Sequence, residues 1–424
     1  MIRLLVIADD ITGALDTGVH FSGCGAVTRV VLTLDGTLPS CDVLVFDAET
    51  RHLLSHDAYQ KVFQAVRRAI DLGIRYIYKK TDSALRGNIG SELAALLDAS
   101  VQAQLPFFPA YPKMNRCTIG GVHYIDNVPV SQSVFGKDPF EPVTTSFIPD
   151  LIHQETNCPA SCCAPLTDIA DDIPSTSGIL VFDGSSDEEL RLTGKRFFET
   201  GKQFVFAGCA GFASVLPDLI GFAGMKKAAP PAAFAQKRLL VVCGSVNPIT
   251  QAQLDAAEPS GFYRYRISPD RKLNPGSWNC PEGSAELDHL ARQLGKYRLS
   301  ILDSNDADEN RSTKKLAARL QLSIEDIRQR ISQSIGILVQ GLVDRGIGGA
   351  VLVTGGDTFV EYLKRMDVTE IEPVCEFFPG VVLSNMDPDG HRYIISKSGG
   401  FGDPKLFIRL AERLGIELDG SVDQ

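Results

Sequence analysis

Two adjacent carboxylates, Asp9 and Asp10, end the first apolar run of the chain in IADDITGALDTG (7–18). A helix is expected to begin near Thr12, and only one of the pair can cap it. Two carboxylates crowded at one strand end repel each other, which capping alone does not require. A carboxylate there can instead accept a hydrogen bond or a proton from a substrate hydroxyl. The complementary charges come from KKTDSALRGNIG (79–90), which packs Lys79, Lys80, Asp82, Ser83, Arg86 and Asn88 into one turn. Lys80 and Arg86 could neutralise a carboxylate or a transferring phosphoryl group, and Asp82 and Ser83 could hydrogen-bond hydroxyls. The plainer reading of this segment is a salt-bridged loop with Asn88 capping the next helix. A third strand end, DAETR (47–51), adds Arg51, whose planar fork suits a carboxylate.

A different chemistry gathers in the second half. VVCGSVNPITQAQL (241–254) runs from an apolar strand through Gly244, Ser245 and Asn247 to a proline suited to the first turn of a helix, whose free N–H groups attract phosphate. VLVTGGDTFVEYL (351–363) repeats the pattern: Gly355 and Gly356 permit close backbone approach, while Asp357 and Thr358 offer a magnesium-linked carboxylate and a hydroxyl. YIISKSGGFGDPKLFIRL (393–410) gives a third such turn, Lys397 to Gly402, with Gly399, Gly400 and Gly402. One glycine-rich turn says little, because such turns also serve only to reverse the chain. Three in one half point to a polyphosphate ligand. The common nucleotide signatures are missing: Gly136-Lys137 is followed by Asp138 and Gly194-Lys195 by Arg196, so no Walker motif exists, and neither a full G-x-G-x-x-G nor the protein-kinase set is present.

Charge narrows the field further. A formal net charge of −10 argues against nucleic acid or a membrane surface as partner, since both demand a concentrated basic face. Any anionic ligand must then be held by local groups. No apolar run approaches the roughly 18 residues of a membrane span. The opening MIRLLVIADD lacks a leader pattern, so a cytoplasmic protein with reduced thiols is expected. Cys158, Cys162 and Cys163 form the one cysteine cluster, at a spacing that matches no common zinc pattern.

These loops need elements to position them. Short apolar runs followed by Gly- or Asp-containing turns and helical patterns are the rhythm of parallel α/β units. Strands are expected at 4–8, 43–46, 74–78, 179–182 and 203–206, then at 239–243, 350–353 and 393–395. Residues 281–345 read as helices, with 306–340 showing apolar positions at helical spacing. MKKAAPPAAFAQKR (225–238) has little to bury and a stiff extended backbone. The expected organisation is therefore α/β in two domains, each a mainly parallel sheet flanked by helices: 1–227, a linker at 228–238, and 239–424.

The motifs IADDITGALDTG, KKTDSALRGNIG, FFPAYPKMNR (107–116), GGVHYIDNVPVSQSVFGKDP (120–139), VCGSVNP, VTGGDT and SKSGGFG together resemble the four-carbon acid sugar kinase family, in that family's order and across nearly the whole chain. The resemblance implies ATP-dependent phosphorylation of a tetronate such as D-threonate or D-erythronate at its terminal hydroxyl, with 1–227 binding the sugar acid and 239–424 binding the nucleotide. Mapped by motif, it places Asp9, Asp10, Arg51, Lys80, Thr81, Asp82 and Ser83 on the sugar acid. It places Ser245, Gly355 to Thr358 and the glycines of SKSGGFG on ATP. A branch acting on 3-oxo-tetronates usually carries an FDST-like segment where this chain has KTDS, which favours threonate or erythronate. Phosphoryl transfer needs chiefly positioning and charge neutralisation, which suits an acidic chain with local anion loops. Asp10 is the first candidate for proton acceptor and Asp82 the second. Lys80, Arg51 or Arg86 would hold the substrate carboxylate or the moving phosphoryl, and Mg²⁺ would bridge the ATP phosphates. The rivals are a 3-oxo-tetronate kinase, a non-catalytic nucleotide-binding regulator, and a dehydrogenase, which lacks its fingerprint here. The oligomeric state, a homodimer included, is left open.

Overall fold

The computed structural model describes residues 2–138, 140–168, 172–201, 204–222, 237–387 and 392–418. The chain divides into two compact units, Met1–Ala228 and Ala229–Gln424. The expected linker lies outside the described residues up to 236.

The strands of the first unit are β1 (Leu4–Ala8), β2 (Thr28–Val31), β3 (Val43–Asp47), β4 (Tyr76–Lys80), β5 (Gln104–Phe108), β6 (Arg116–Ile119), β7 (Val122–Ile125), β8 (Val128–Pro129), β9 (Ala160–Cys163), β10 (Gly178–Phe182) and β11 (Val205–Gly208). Eight of them form a sheet in the order β2-β3-β1-β4-β11-β5-β10-β9, and every pairing is parallel. β1 is buried along its length, as a strand covered on both faces must be, which is why LLVIA reads as an unbroken apolar run. The helix Ser55–Asp71 shows why such elements pack: its buried residues Ala58, Val62, Ala65, Val66 and Ala69 recur at helical spacing on one face. The chain leaves β1 toward β2 and β3 on one side and then crosses to β4 on the other. Strand order therefore reverses at β1, the position where open α/β sheets form a crevice for ligands. β6, β7 and β8 form a separate antiparallel sheet.

The second unit contributes β12 (Leu239–Cys243), β13 (Tyr263–Arg266), β14 (Leu299–Asp303), β15 (Ala350–Thr354), β16 (Glu370–Phe378), β17 (Val381–Asn385) and β18 (Tyr393–Lys397). Their order is β13-β14-β12-β15-β18-β17-β16. The strands from β13 to β18 pair in parallel, and β17 and β16 complete the edge in antiparallel fashion. Here the strand order reverses at β12.

Three expectations need correction. The strand expected at 74–78 is β4, two residues later. Ile74 N–H donates to the carbonyl of Ala69 at 3.0 Å and Gly73 adopts φ +69°, so these residues still close the preceding helix. Lys79 and Lys80 consequently lie inside the strand and on opposite faces. The stretch 281–345 is not helical throughout: β14 interrupts it between the helices Pro281–Leu294 and Arg311–Arg319. A five-residue apolar run cannot be told from a helix segment by periodicity alone. The strand expected at 203–206 is β11, Val205–Gly208, residue 203 lying outside the described residues.

Candidate active site

Register places the ends of β1, β3 and β4 side by side, with Ala8 opposite both Asp47 and Lys80. The residues just beyond them meet in one charged cluster. Asp10 caps the helix Ile11–Ser22: its Oδ1 accepts the Gly13 N–H at 3.0 Å, its Oδ2 accepts the Thr12 hydroxyl at 2.6 Å, and Arg51 Nη2 donates to Oδ1 at 2.7 Å. Asp9 is buried, and its Oδ2 accepts from Arg51 Nε at 2.7 Å. Asp9 Oδ1 is also buried yet accepts no hydrogen bond among the described residues. Lys80 Nζ stands 3.7 Å from it, past hydrogen-bonding length. The strand alternation aims Lys80 into this cluster, and Gly13 clears its path, because a Cβ there would overlap Lys80 Nζ and Asp10 Oδ1.

Asp82 is held by Arg86 through a fork, Nε to Oδ2 at 2.7 Å and Nη2 to Oδ1 at 3.2 Å, and Arg86 Nη1 reaches Asp138 Oδ2 at 3.2 Å. Asn88 stands at the N-terminus of the helix Ile89–Ser100 but caps it with no side-chain bond. Its amide instead donates to the carbonyls of Thr50 and Leu53, both at 2.9 Å, which fixes the loop that carries Arg51. Thr81 is buried, its N–H bonded to the Gly208 carbonyl and its hydroxyl without a hydrogen bond among the described residues.

The charges tune one another. Burial alone would raise the Asp10 carboxyl, but Arg51, Lys80 and the Thr12 hydroxyl outweigh it and hold the group at about 2. Burial is likewise overcome at Asp82 by Arg86 and Arg51, which keep it well below the usual carboxylate range. Lys80 is raised, Asp9 and Asp10 outweighing the effect of its burial. Asp10 and Asp82 thus stay ionised and Lys80 stays protonated across neutral pH.

In the second unit Cys243 stands in register with Asp303 on one side and Thr354 on the other, and Thr354 with Lys397. Three turns converge as a result. Asn247 caps the helix Pro248–Ala257, and Ser245 Oγ accepts its N–H at 3.2 Å. Gly355, at φ +108°, starts the helix Gly356–Arg365, and a Cβ on it would lie 3.1 Å from Gly244 C and 3.2 Å from Ser245 N. A Cβ on Gly399 would lie 3.0 Å from Ser245 Oγ. Two helix N-termini therefore open beside backbone that glycine alone lets approach so closely, an arrangement that favours phosphate. Thr358 is buried against Gly244. Gly402, at φ +87°, closes its turn, which Gln253 Nε2 secures by donating to the Phe401 carbonyl at 2.9 Å. Asp357 pairs with Arg328. Replacing Gly355 by valine forces a branched side chain into a left-handed conformation, a strain of about 1–3 kcal/mol. The KM for ATP should rise about tenfold or more while that for the acceptor stays within about twofold; equal shifts in steady-state kinetics would place the loop elsewhere.

Two residues in this unit were given no role from the sequence: Asn305, which was not singled out, and Lys397, which was named only as the start of its turn. Asn305, just past β14, donates from Nδ2 to the Ser245 carbonyl at 3.1 Å and to Asp303 Oδ1 at 2.8 Å, bracing the first turn. The signal was present, since LSILDSNDAD repeats the apolar run and acidic end of IADD, but it lay in a segment read as helix. Lys397 is buried and donates to Thr250 Oγ1 at 3.2 Å, the Ser398 carbonyl at 2.9 Å and the Gly399 carbonyl at 3.2 Å. Burial pulls its pKa down to about 7.

Comparison with known proteins agrees with this division of labour. Residues 4–216 match the model of a sugar-binding N-terminal domain, and residues 240–407 match that of a nucleotide-binding C-terminal domain. The chain belongs to the four-carbon acid sugar kinase family. It is 27% identical to a D-threonate kinase of Salmonella typhimurium, covering 94% of this chain and 95% of that protein. It is 25% identical to a D-erythronate kinase of Heliobacterium modesticaldum, with 89% of each chain covered. A 3-oxo-tetronate kinase of Salmonella typhimurium shares 26% identity over 96% of this chain and 98% of its own. A solved Salmonella typhimurium structure described as a tRNA synthase superposes with a TM-score of 0.74 at 22% identity, covering 97% of this chain and all of that one. At that identity the likeness shows the fold alone. No helix among the described residues is long and apolar enough to cross a membrane.

Proposed function

We propose that this sugar acid kinase transfers the γ-phosphate of ATP to the terminal hydroxyl of D-threonate or D-erythronate. The observation that carries the reading is the set of groups left open at the end of β1. Arg51 is occupied by Asp9 and Asp10, and Arg86 by Asp82 and Asp138. Lys80 alone of the three candidate cations makes no hydrogen-bonded carboxylate contact among the described residues; its ion pair is a loose one, 3.7 Å to the Asp9 Oδ1 that accepts no hydrogen bond. A ligand with a carboxylate for the ammonium and hydroxyls for the aspartates satisfies both. A short polyhydroxy acid has that composition.

In the reaction the sugar acid binds through Lys80 and the carboxylates, and Asp10 orients the terminal hydroxyl and accepts its proton as the phosphoryl group arrives. Ser245, the Gly355-Gly356 turn and the Gly399 turn hold the ATP phosphates through backbone N–H groups. Magnesium would enter with ATP. Asp357, whose Oδ1 pairs with Arg328, has its second carboxylate oxygen for such an ion or its water. The ion's contribution when bound is to neutralise charge on the phosphates. Both D-threonate kinase and 3-oxo-tetronate kinase occur among the relatives, and the KTDS segment is the feature that favours the unoxidised acids.

A coupled ADP-release assay over four- to six-carbon sugar acids with Mg-ATP tests this. D-Threonate or D-erythronate should be turned over with a kcat/KM about 100-fold above that of any hexonate. A 3-oxo-tetronate ahead of both would move the chain to the other branch, and no ADP release from any acid would refute the reading.

A further inference from the structure

The segment 107–138, most of whose motifs the reaction above leaves without a role, packs against the loop that carries Ser83 and Arg86. In the antiparallel sheet β6-β7-β8, Thr118 pairs with His123 and Arg116 with Ile125. Alternation places Arg116, Thr118, His123 and Ile125 on one face, and all four are buried. Ile119, on the opposite face, is 59% exposed. A small sheet that buries an arginine, a threonine and a histidine while exposing an isoleucine inverts the usual pattern, so its polar face must serve a partner.

That partner is Ser83. Arg116 Nη1 donates to Ser83 Oγ, and His123 Nε2 lies 3.0 Å from the Ser83 carbonyl. Because a carbonyl only accepts, Nε2 carries the proton, and Nδ1 accepts from the Thr118 hydroxyl at 3.0 Å. Burial pulls His123 down to about 4, which keeps this neutral tautomer at neutral pH. Phe135 packs beneath both guanidiniums, with Arg86 5.2 Å and Arg116 5.3 Å from its ring centre. Asp183 anchors the β6-β7 turn by accepting the N–H groups of Gly120 at 2.6 Å and Gly121 at 2.9 Å. The Ser83 loop, which Arg116 and His123 contact, is itself tight: Leu85 takes φ +63° and its N–H donates to the Asp82 carbonyl at 3.0 Å.

We infer that Arg116, backed by His123, is a positioning residue that fixes Ser83 as a hydrogen-bond donor to an oxygen of the sugar acid. A guanidinium has only donors, so Ser83 Oγ must accept from it, and the serine O–H is left to point at an acceptor on the ligand. The inference rests on the sugar-acid reading of this site.

Ser83→Ala, Arg116→Met and the double variant test it in the ADP-release assay. Each single variant should raise the KM for the sugar acid about tenfold, as expected for a lost hydrogen bond at a charged ligand. The KM for ATP should move less than about twofold, and the double variant should be no worse than Ser83→Ala alone. Effects that multiply, or an equal rise in the KM for ATP, would overturn the assignment. Should Arg116→Met lose its melting transition, Arg116→Lys, which keeps a buried cation able to donate, takes its place in the same cycle. There the sugar-acid KM should rise less than for Ser83→Ala; a larger rise refutes the inference. Amide hydrogen exchange on the full chain reads the positioning without turnover. Residues 81–87 should exchange faster in the Arg116 variant while 4–8 do not change, and unaltered exchange at 81–87 refutes the inference. A wild type that releases no ADP would instead refute the sugar-acid reading, so the two failures are told apart.

Discussion

Asp10→Asn should yield a protein that folds and binds the sugar acid while kcat falls roughly 10²- to 10⁴-fold, the range expected for loss of a general base. Asparagine keeps an oxygen to cap the helix at Gly13 and accept from Arg51, while its amide N–H can donate to the Thr12 hydroxyl oxygen where Oδ2 accepted from it, so the local structure survives. What disappears is the charge that takes the proton. Asp82 is the weaker candidate because both of its oxygens are engaged by the Arg86 fork, whereas Asp10 Oδ2 has only the Thr12 hydroxyl. Asp82→Asn is therefore the control. If it abolishes kcat while Asp10→Asn does not, the base is Asp82. The pH dependence adds a second check. With its folded pKa near 2 against an ordinary 3.8, Asp10 contributes stability that is fully present above about pH 4 and lost as pH falls toward 2. The wild-type kcat should thus show no acidic limb from Asp10 above about pH 4, and an acidic limb near pH 6 that Asp10→Asn removes would contradict the arrangement.

How much of this was legible beforehand depends on which physical signal carried it. The strand ends at Asp9, Cys243 and Thr354 were readable because parallel strands buried on both faces leave unbroken apolar runs. The grouping of Asp9, Asp10, Arg51 and Lys80 followed from placing them all at such ends. Their partition did not. That Arg51 and Arg86 are spent on aspartates and Lys80 is left open is a matter of side-chain geometry across three strands, which spacing does not encode. Asn305 stayed hidden because β14 is a short apolar run between helices. The polar face of β6 and β7 was hidden for a related reason: period-two alternation was present, but the buried side carried the polar residues.

Lys79 and Lys80 stand next to each other in one crowded motif, yet their removal should have opposite consequences. Lys79 Nζ pairs with Glu92 Oε2 at 2.9 Å, both side chains at most 1% exposed, and it also donates to the Lys80 carbonyl at 2.9 Å. Lys79→Met leaves the Glu92 carboxyl buried beside an apolar chain, a defect of about 3–5 kcal/mol. At about 2–4 °C per kcal/mol for a unit of this size, Tm should fall by roughly 10 °C. Burial already pushes Glu92 up, with Lys79 opposing. A carboxyl whose folded pKa is raised gains stability as pH drops below that pKa, so the Lys79→Met defect should shrink as pH is lowered from neutral toward the ordinary carboxylate range. Lys80→Met removes a cation held only by a loose 3.7 Å ion pair to Asp9, and Arg51 still compensates Asp9 and Asp10. Its Tm should stay several degrees above that of Lys79→Met while kcat/KM for the sugar acid falls about 100-fold, as expected for loss of a charged contact to substrate. A rise confined to KM would assign Lys80 to the substrate carboxylate, and a loss in kcat would assign it to the transferring phosphoryl group. Differential scanning calorimetry and steady-state kinetics on the two variants decide the matter. If Lys80→Met melts as early as Lys79→Met and keeps its kcat/KM, the open ammonium at the end of β4 is structural, and the acceptor site must lie elsewhere.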